Sequence, residues 1–336
     1  MPPFNDFGVH ASMTKVSSPL VANMHSPPFL TPVALFVFRR PDTTRRVFDA
    51  IAAARPARLL LIADGPRSNR PEEAEACRAV REIVSRVDWP CEVSTNFSED
   101  NLGCGERMIS GLNWVFSLVE EAILLEDDCL PDPTFFPFCQ DLLERYRGDS
   151  RVAYITGCNL AEKDTNTEAS YFFSRIGMIW GWATWRSQWQ RYDRHLTAWP
   201  AMRDEKTLSE VFDDSKTLAY WTRIFDDMHE KRGPNTWDYQ WFFTCLVNNS
   251  SAAISKLNLI TNIGFGPDAT HTTELEAISM LPAKQMTFPM KHPSSFIPLR
   301  SMDRRLRKRL TSTFSVRVKR KFRDLSRQLV RSRTRL

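Results

Sequence analysis

Apolar runs that stop abruptly at charged residues constrain this chain more than any other feature. Val33-Ala34-Leu35-Phe36-Val37-Phe38 ends at Arg39-Arg40-Pro41, Leu59-Leu60-Leu61-Ile62-Ala63 ends at Asp64-Gly65-Pro66, and Ala122-Ile123-Leu124-Leu125 ends at Glu126-Asp127-Asp128. A run without polar alternation has no solvent face, so each reads as a strand buried on both sides. Helical patterns lie between them. Val47, Ile51 and Ala54 share one helical face, Glu72 to Val87 is charged and amphipathic, and Glu106 to Leu118 follows the turn Asn101-Leu102-Gly103-Cys104-Gly105. Cys91-Glu92-Val93-Ser94-Thr95 supplies a further strand before that turn. Strands alternating with helices predict an α/β fold with a mostly parallel central sheet and helices on both faces. The ligand crevice of such a sheet lies at the carboxyl ends of its strands, where all three charged stops fall.

The second half is less regular. Thr134 to Arg147, Leu218 to Lys231 and Trp237 to Val247 read as helices, and Val152 to Ile155 and Tyr171 to Phe173 as strands. Residues 1–30, rich in Pro and Ser without a period, read as a disordered leader. No convincing linker divides residues 31–275, which are taken as one domain in two halves, 31–130 and 131–275. Residues 276–300 read as a linker and 301–336 as a basic amphipathic tail.

The formal charge of +5 conceals an asymmetry: residues 301–336 carry fourteen Lys/Arg against two acids, so the preceding 300 residues are net acidic. In that tail Leu306, Leu310, Phe314, Val318, Phe322, Leu325 and Leu329 recur every three or four residues among Arg and Lys. An amphipathic basic helix of this kind suits an anionic membrane surface, with nucleic acid and plain solvation as the competing readings. Nucleic-acid binding by the body is disfavoured, because its charge is negative. Seven cysteines without a paired short spacing, and no signal-like or spanning apolar stretch, fit a reducing, cytoplasmic setting, peripheral to the inner membrane face if the tail docks there.

Three adjacent carboxylates at a strand end repel one another unless a cation intervenes. Oxygen ligands in that position suit Mn²⁺ or Mg²⁺, which complete their shells with water and substrate phosphates. A solvated acidic turn leading into a Pro131-Asp132-Pro133 helix start is the other reading. A glycosidase is disfavoured, since adjacent Asp127 and Asp128 cannot flank a glycosidic bond.

The succession Arg39-Arg40, Asp64-Gly65, Asn101 to Phe116, and Ile123-Leu124-Leu125-Glu126-Asp127-Asp128 with Pro133-Thr134-Phe135-Phe136 resembles the GT-A glycosyltransferases. Within them it is most similar to N-acetylglucosaminyltransferase I and the bacterial family-2-like enzymes, over roughly residues 32–273. The resemblance implies the GT-A fold and a metal-dependent, inverting hexosyl transfer. The donor would be a nucleotide diphosphate sugar and the acceptor a saccharide or lipid-linked saccharide, in cell-envelope polysaccharide synthesis. It implies that Asp128 binds the metal, with Glu126 and Asp127 ordering its waters and the donor. It further implies that Arg40 meets phosphate, Asp64 the base, and Arg107 the nucleotide.

In the acceptor half, Gly181-Trp182-Ala183-Thr184-Trp185 resembles the family's acceptor wall, which would give Trp182 and Trp185 a sugar-stacking role; as bare sequence it reads equally as an aromatic helix start. Trp237-Asp238-Tyr239 is similar to the family's Trp-Asp-Asp segment and implies Asp238 as catalytic base, although Tyr239 stands at the second acid. Capping of the following helix is the structural alternative for Asp238. Ile263 to His271 resembles a mobile loop over the nucleotide, with His271 reaching the diphosphate or metal and Gly264 and Gly266 giving it hinge freedom.

Overall fold

The computed structural model describes residues 29–264 and 281–309. The first half builds β1 (Val33–Val37), α1 (Pro41–Ala54), β2 (Arg58–Ala63), α2 (Glu73–Val84), β3 (Glu92–Phe97), α3 (Cys104–Leu118) and β4 (Glu121–Glu126). The predicted strands and helices of this half are all present, displaced by no more than a few residues. Every residue of β1 is buried, as are Leu59 to Ala63 of β2, in keeping with their lack of polar alternation. Fully burying a side chain such as Leu35 stabilises the fold by roughly 1.5–3 kcal/mol. β3, more polar in sequence, lies at the sheet edge and has no buried residue.

The second half contains β5 (Cys129–Pro131), α4 (Phe135–Arg145), β6 (Val152–Thr156), β7 (Tyr171–Ser174), β8 (Trp182–Trp185), α5 (Arg186–Trp189), α6 (Trp199–Asp204), α7 (Ser215–His229), α8 (Asp238–Val247), β9 (Ser251–Ser255) and β10 (Ile260–Asn262). Helix α7 starts three residues before the predicted Leu218, because Asp214 caps it by accepting from the Thr217 N–H at 2.8 Å.

Among the described residues the main sheet has eight strands in the order β3-β2-β1-β4-β8-β6-β9-β7, and β5 pairs separately with β10. The strands β1 to β4 run parallel. β8 runs against both β4 and β6, and β7 against β9, so the sheet is mostly parallel with two reversed strands. The segment read as an aromatic wall or helix start is thus β8, a central strand whose residues are all buried.

Register positions the charged stops. Val37 pairs with Ala63 and Phe36 with Glu126, so Arg39-Arg40, Asp64-Gly65 and Glu126 to Asp128 emerge side by side at one sheet edge.

The described part of the expected linker is built into the body. Leu299 N–H donates to the Phe173 carbonyl of β7 at 2.9 Å, Lys284 N–H to the Asn258 carbonyl at 2.7 Å, and Met286 and Met290 are buried. A helix over 300–309 follows. It buries Met302 and Leu306, and Arg304 and Arg307 pair with Asp213 at 2.8 and 2.9 Å. The apolar repeat predicted from Leu306 onward otherwise lies outside the described residues. No described helix is long and apolar enough to cross a membrane.

Candidate functional site

A cavity of about 350 Å³ opens over the carboxyl ends of β1, β2 and β4, and the first turn of α3 closes its side. Four arginines (Arg39, Arg40, Arg67, Arg107) and four acids (Asp64, Glu126, Asp127, Asp128) line it. That combination gives one cavity a wall for anionic groups and a wall for a cation.

Arg40, the residue before α1, places its guanidinium across the triplet, with Nη1 2.6 Å from Asp128 Oδ2 and 3.3 Å from Asp127 Oδ1. The Phe38 N–H also donates to Asp127 Oδ2 at 3.3 Å. One guanidinium does not balance three carboxylates. Withdrawal from water, then the neighbouring charges of Asp128 and Asp127, raises Glu126 to about 8. Burial and then Asp128 raise Asp127 to about 7 against the opposing pull of Arg40. Asp128 is clamped from behind: its carbonyl accepts the Ile263 N–H at 2.7 Å, and a methyl group on Gly264 would overlap its carboxylate. Gly264 is therefore required for close approach as the chain leaves β10.

Asp64 is engaged differently. Its carboxylate accepts from Gly65 N–H (3.0 Å), Leu102 N–H (2.9 Å), Gly103 N–H (3.1 Å) and Asn101 Nδ2 (2.9 Å). Four donors take up the ordinary capacity of a carboxylate, so Asp64 shapes the loop that starts α3 and lines the cavity from beneath it. Arg107, buried one turn into α3, donates through Nη2 to the carbonyl and, at 2.9 Å, to the side chain of Asn96 at the end of β3. Desolvation lowers its pKa.

The start of α3 also carries the acceptor half to the triplet. Gly103 adopts φ 78°, and a methyl group there would lie 2.7 Å from Asn235 Nδ2; one on Gly105 would overlap Asn235 Oδ1 and lie 3.1 Å from the Thr236 backbone. The two glycines let the turn before α8 rest on α3. Asp238, first residue of α8, accepts from Thr236 Oγ1. Its charge reaches the triplet, being among the causes that raise Glu126. Cys104 is within electrostatic reach of both. Its packed surroundings, then Glu126, Asp238, Asp128 and Asp64, push its thiol up to about 12, although the residue itself is exposed. Beside Asp238, Met178, Ile179 and Phe242 line a narrow apolar groove of about 60 Å³.

Trp182 and Trp185 offer no stacking face. Trp182 is 1% exposed, stacked on Trp237 at 5.6 Å and packed against Tyr154 and Trp241; Trp185 donates Nε1–H to the Leu143 carbonyl. Trp182 packs beneath α8, and Trp185 is tied to α4. His271 and Gly266 lie outside the described residues.

Sequence reasoning missed Arg39, Arg67 and Glu73. Buried Glu73 takes both nitrogens of the Arg67 fork, with Arg39 at 3.4 Å, and Arg67 draws its pKa down to about 2. The signal was present: Arg67 follows Asp64-Gly65-Pro66 directly, and Glu73 opens the helix behind it. The groove beside Asp238 had no such signal, because only the packing of α8 against the 176–179 segment and α7 creates it.

The chemistry of the donor set suits a hard dication, since every acid at the strand ends offers oxygen. Among the described residues no three His, Cys, Asp or Glu side chains form a ready cage. Such a cage is not required, because Mg²⁺ and Mn²⁺ are commonly held by one or two carboxylates plus substrate phosphates.

No protein-family model and no curated protein matches the chain. Among solved structures it is similar to a UDP-glucose pyrophosphorylase complexed with UDP-glucose, at 12% identity and TM-score 0.25, over 44% of this chain and 63% of that one. It is also similar to an apo UDP-glucose pyrophosphorylase at 9% identity and TM-score 0.34, over 69% and 93%. Similarities of that size leave the functional reading to the geometry of the site.

Proposed function

We propose that this chain is a nucleotide-sugar-dependent glycosyltransferase of the GT-A kind, acting by inversion on a saccharide or lipid-linked saccharide acceptor. The observation that carries the reading is the approach of two separate elements: the triplet at the end of β4, with Asp127 and Asp128 bridged by Arg40, and the start of α8, where the Asn235-Thr236 turn just ahead of Asp238 packs on the first turn of α3 beside the cavity. In this reading the triplet meets the donor's diphosphate, and Asp238, a carboxylate from another element, meets the acceptor.

In this reading Asp128, supported by Asp127 and Glu126, holds Mn²⁺ or Mg²⁺, and Arg40 reaches the diphosphate. The ion, when bound, neutralises charge that develops on the departing diphosphate. Arg107 and the loop braced by Asp64 form the floor beneath the nucleotide. Asp238 accepts the proton of the acceptor hydroxyl as its oxygen attacks the anomeric carbon. The apolar groove of Met178, Ile179 and Phe242 receives the acceptor ring and keeps water from that carbon. His271 is assigned to the diphosphate or the metal. The basic residues of segment 301–336 beyond the helix packed on the body bring the enzyme to an anionic membrane bearing a lipid-linked acceptor for envelope polysaccharide, a role supported by their charge and apolar repeat.

The test is calorimetric titration with UDP, GDP and CDP, with Mn²⁺ and then with EDTA, on the native protein and on Asp128→Ala. Metal-dependent binding of one nucleotide diphosphate, lost in the variant, is the expected result. A folded protein that binds none of the three would refute the proposal.

A further inference from the structure

Arg40 is the one cation that contacts both Asp127 and Asp128 among the described residues, through a single Nη1 at 3.3 and 2.6 Å. Its side chain is 51% exposed, so it is held by these contacts and not by packing. A dication that uses the same carboxylate oxygens has to displace the guanidinium, because two positive groups cannot share contacts of that length. A displaced Arg40 keeps only Glu126, of the same triplet, within electrostatic reach. Glu73, behind the cavity wall, is engaged by Arg67 and Arg39, and Asp64 is filled by four donors. The cavity would then hold the released Arg40 guanidinium beside a bound dication. A diphosphate removes the conflict, since its oxygens accept a guanidinium fork and complete the ion's shell.

We propose that Arg40 is a placeholder for the cation, which keeps Asp127 and Asp128 paired until a diphosphate draws its guanidinium away, so that ion and nucleotide each tighten the other's binding. This rests on the transferase reading of the cavity and adds a coupling to it. By linkage the coupling is reciprocal: nucleotide tightens the ion by the same factor as the ion tightens nucleotide.

The experiment is titration of the full chain with Mn²⁺ alone, followed by the electron paramagnetic resonance of free Mn²⁺, then repeated with UDP, GDP and CDP. It is run on the native protein, Arg40→Gln and Arg40→Lys, with thermal unfolding as the check on folding. In the native protein the binding nucleotide should tighten Mn²⁺ by about tenfold or more. Arg40→Gln should bind Mn²⁺ without nucleotide about tenfold tighter than the native protein and lose most of the coupling. Arg40→Lys, which keeps the charge but not the fork, should fall between them. If native Mn²⁺ binding depends on nucleotide but Arg40→Gln binds Mn²⁺ alone no more tightly, the placeholder role is wrong and the cavity reading stands. If the native protein takes up Mn²⁺ with none of the nucleotides, the cavity reading fails and this coupling with it.

Discussion

Replacing Asp64 by alanine tests whether the loop that starts α3 is made by one carboxylate. Four donors lose their acceptor, but not equally. The Gly65 N–H retains a second acceptor in the Asp100 carbonyl at 3.3 Å, and Asn101 Nδ2 retains the Gly65 carbonyl at 2.9 Å. The Leu102 and Gly103 N–H groups have no such reserve. Each orphaned buried donor costs about 1–3 kcal/mol, and hydrogen bonds to a charged acceptor lie toward the upper end. Leu102 is 38% exposed, so water recovers part of its share. The expected loss for Asp64→Ala is therefore about 2–5 kcal/mol. Asp64→Asn should lose about half as much, because its remaining oxygen still accepts from two of the four donors while its NH₂ faces the other two. Urea unfolding followed by tryptophan fluorescence gives the free energy, and hydrogen exchange locates it: amides of residues 101–104 should lose protection before those of β1 and β2. A destabilisation below about 1 kcal/mol, with unchanged exchange at 101–104, would refute the view that Asp64 builds this loop.

Gly105→Ala should push the Asn235-Thr236 turn, and Asp238 with it, away from the triplet. If the transferase reading holds, nucleotide release from donor and acceptor should fall by up to about a hundredfold while nucleotide affinity changes little, with partial recovery in Gly105→Ala/Asn235→Ala. Trp182→Ala should cost about 3–5 kcal/mol in urea unfolding, because the indole is core; a normal stability with a raised acceptor KM would restore it to an acceptor wall. The raised pKa values of Glu126 and Asp127 set a pH dependence with a definite sign. The folded state holds these protons more tightly than the unfolded chain, so nucleotide-free stability should fall as pH rises from ordinary carboxylate values toward about 8, then level. Over the same range Mn²⁺ and nucleotide should bind more tightly, because the ion competes with those protons; calorimetry at several pH values would expose a flat profile.

The amino-acid sequence by itself determined the strands that carry the site. Val33 to Val37 and Leu59 to Ala63 have no polar residue to turn toward water, so burial on both faces is their only low-energy state. Their charged stops, Arg39-Arg40, Asp64 and Glu126 to Asp128, follow directly from where those runs end. Patterning could not distinguish a central strand from a helix start at Trp182 to Trp185, because a segment covered on all sides has no period to read. Nor could it tell which charges meet. Asp64 is filled by Leu102 and Gly103 because a loop nearly forty residues on folds back over it, and Arg40 reaches Asp127 and Asp128 only because β1 and β4 pair as neighbours. Asp238 is 110 residues from Asp128 in the chain, and only the two glycines at the start of α3 let its turn approach. Local propensity acts over a few residues, whereas partners for buried charge are chosen by the sheet order, which only the tertiary structure decides.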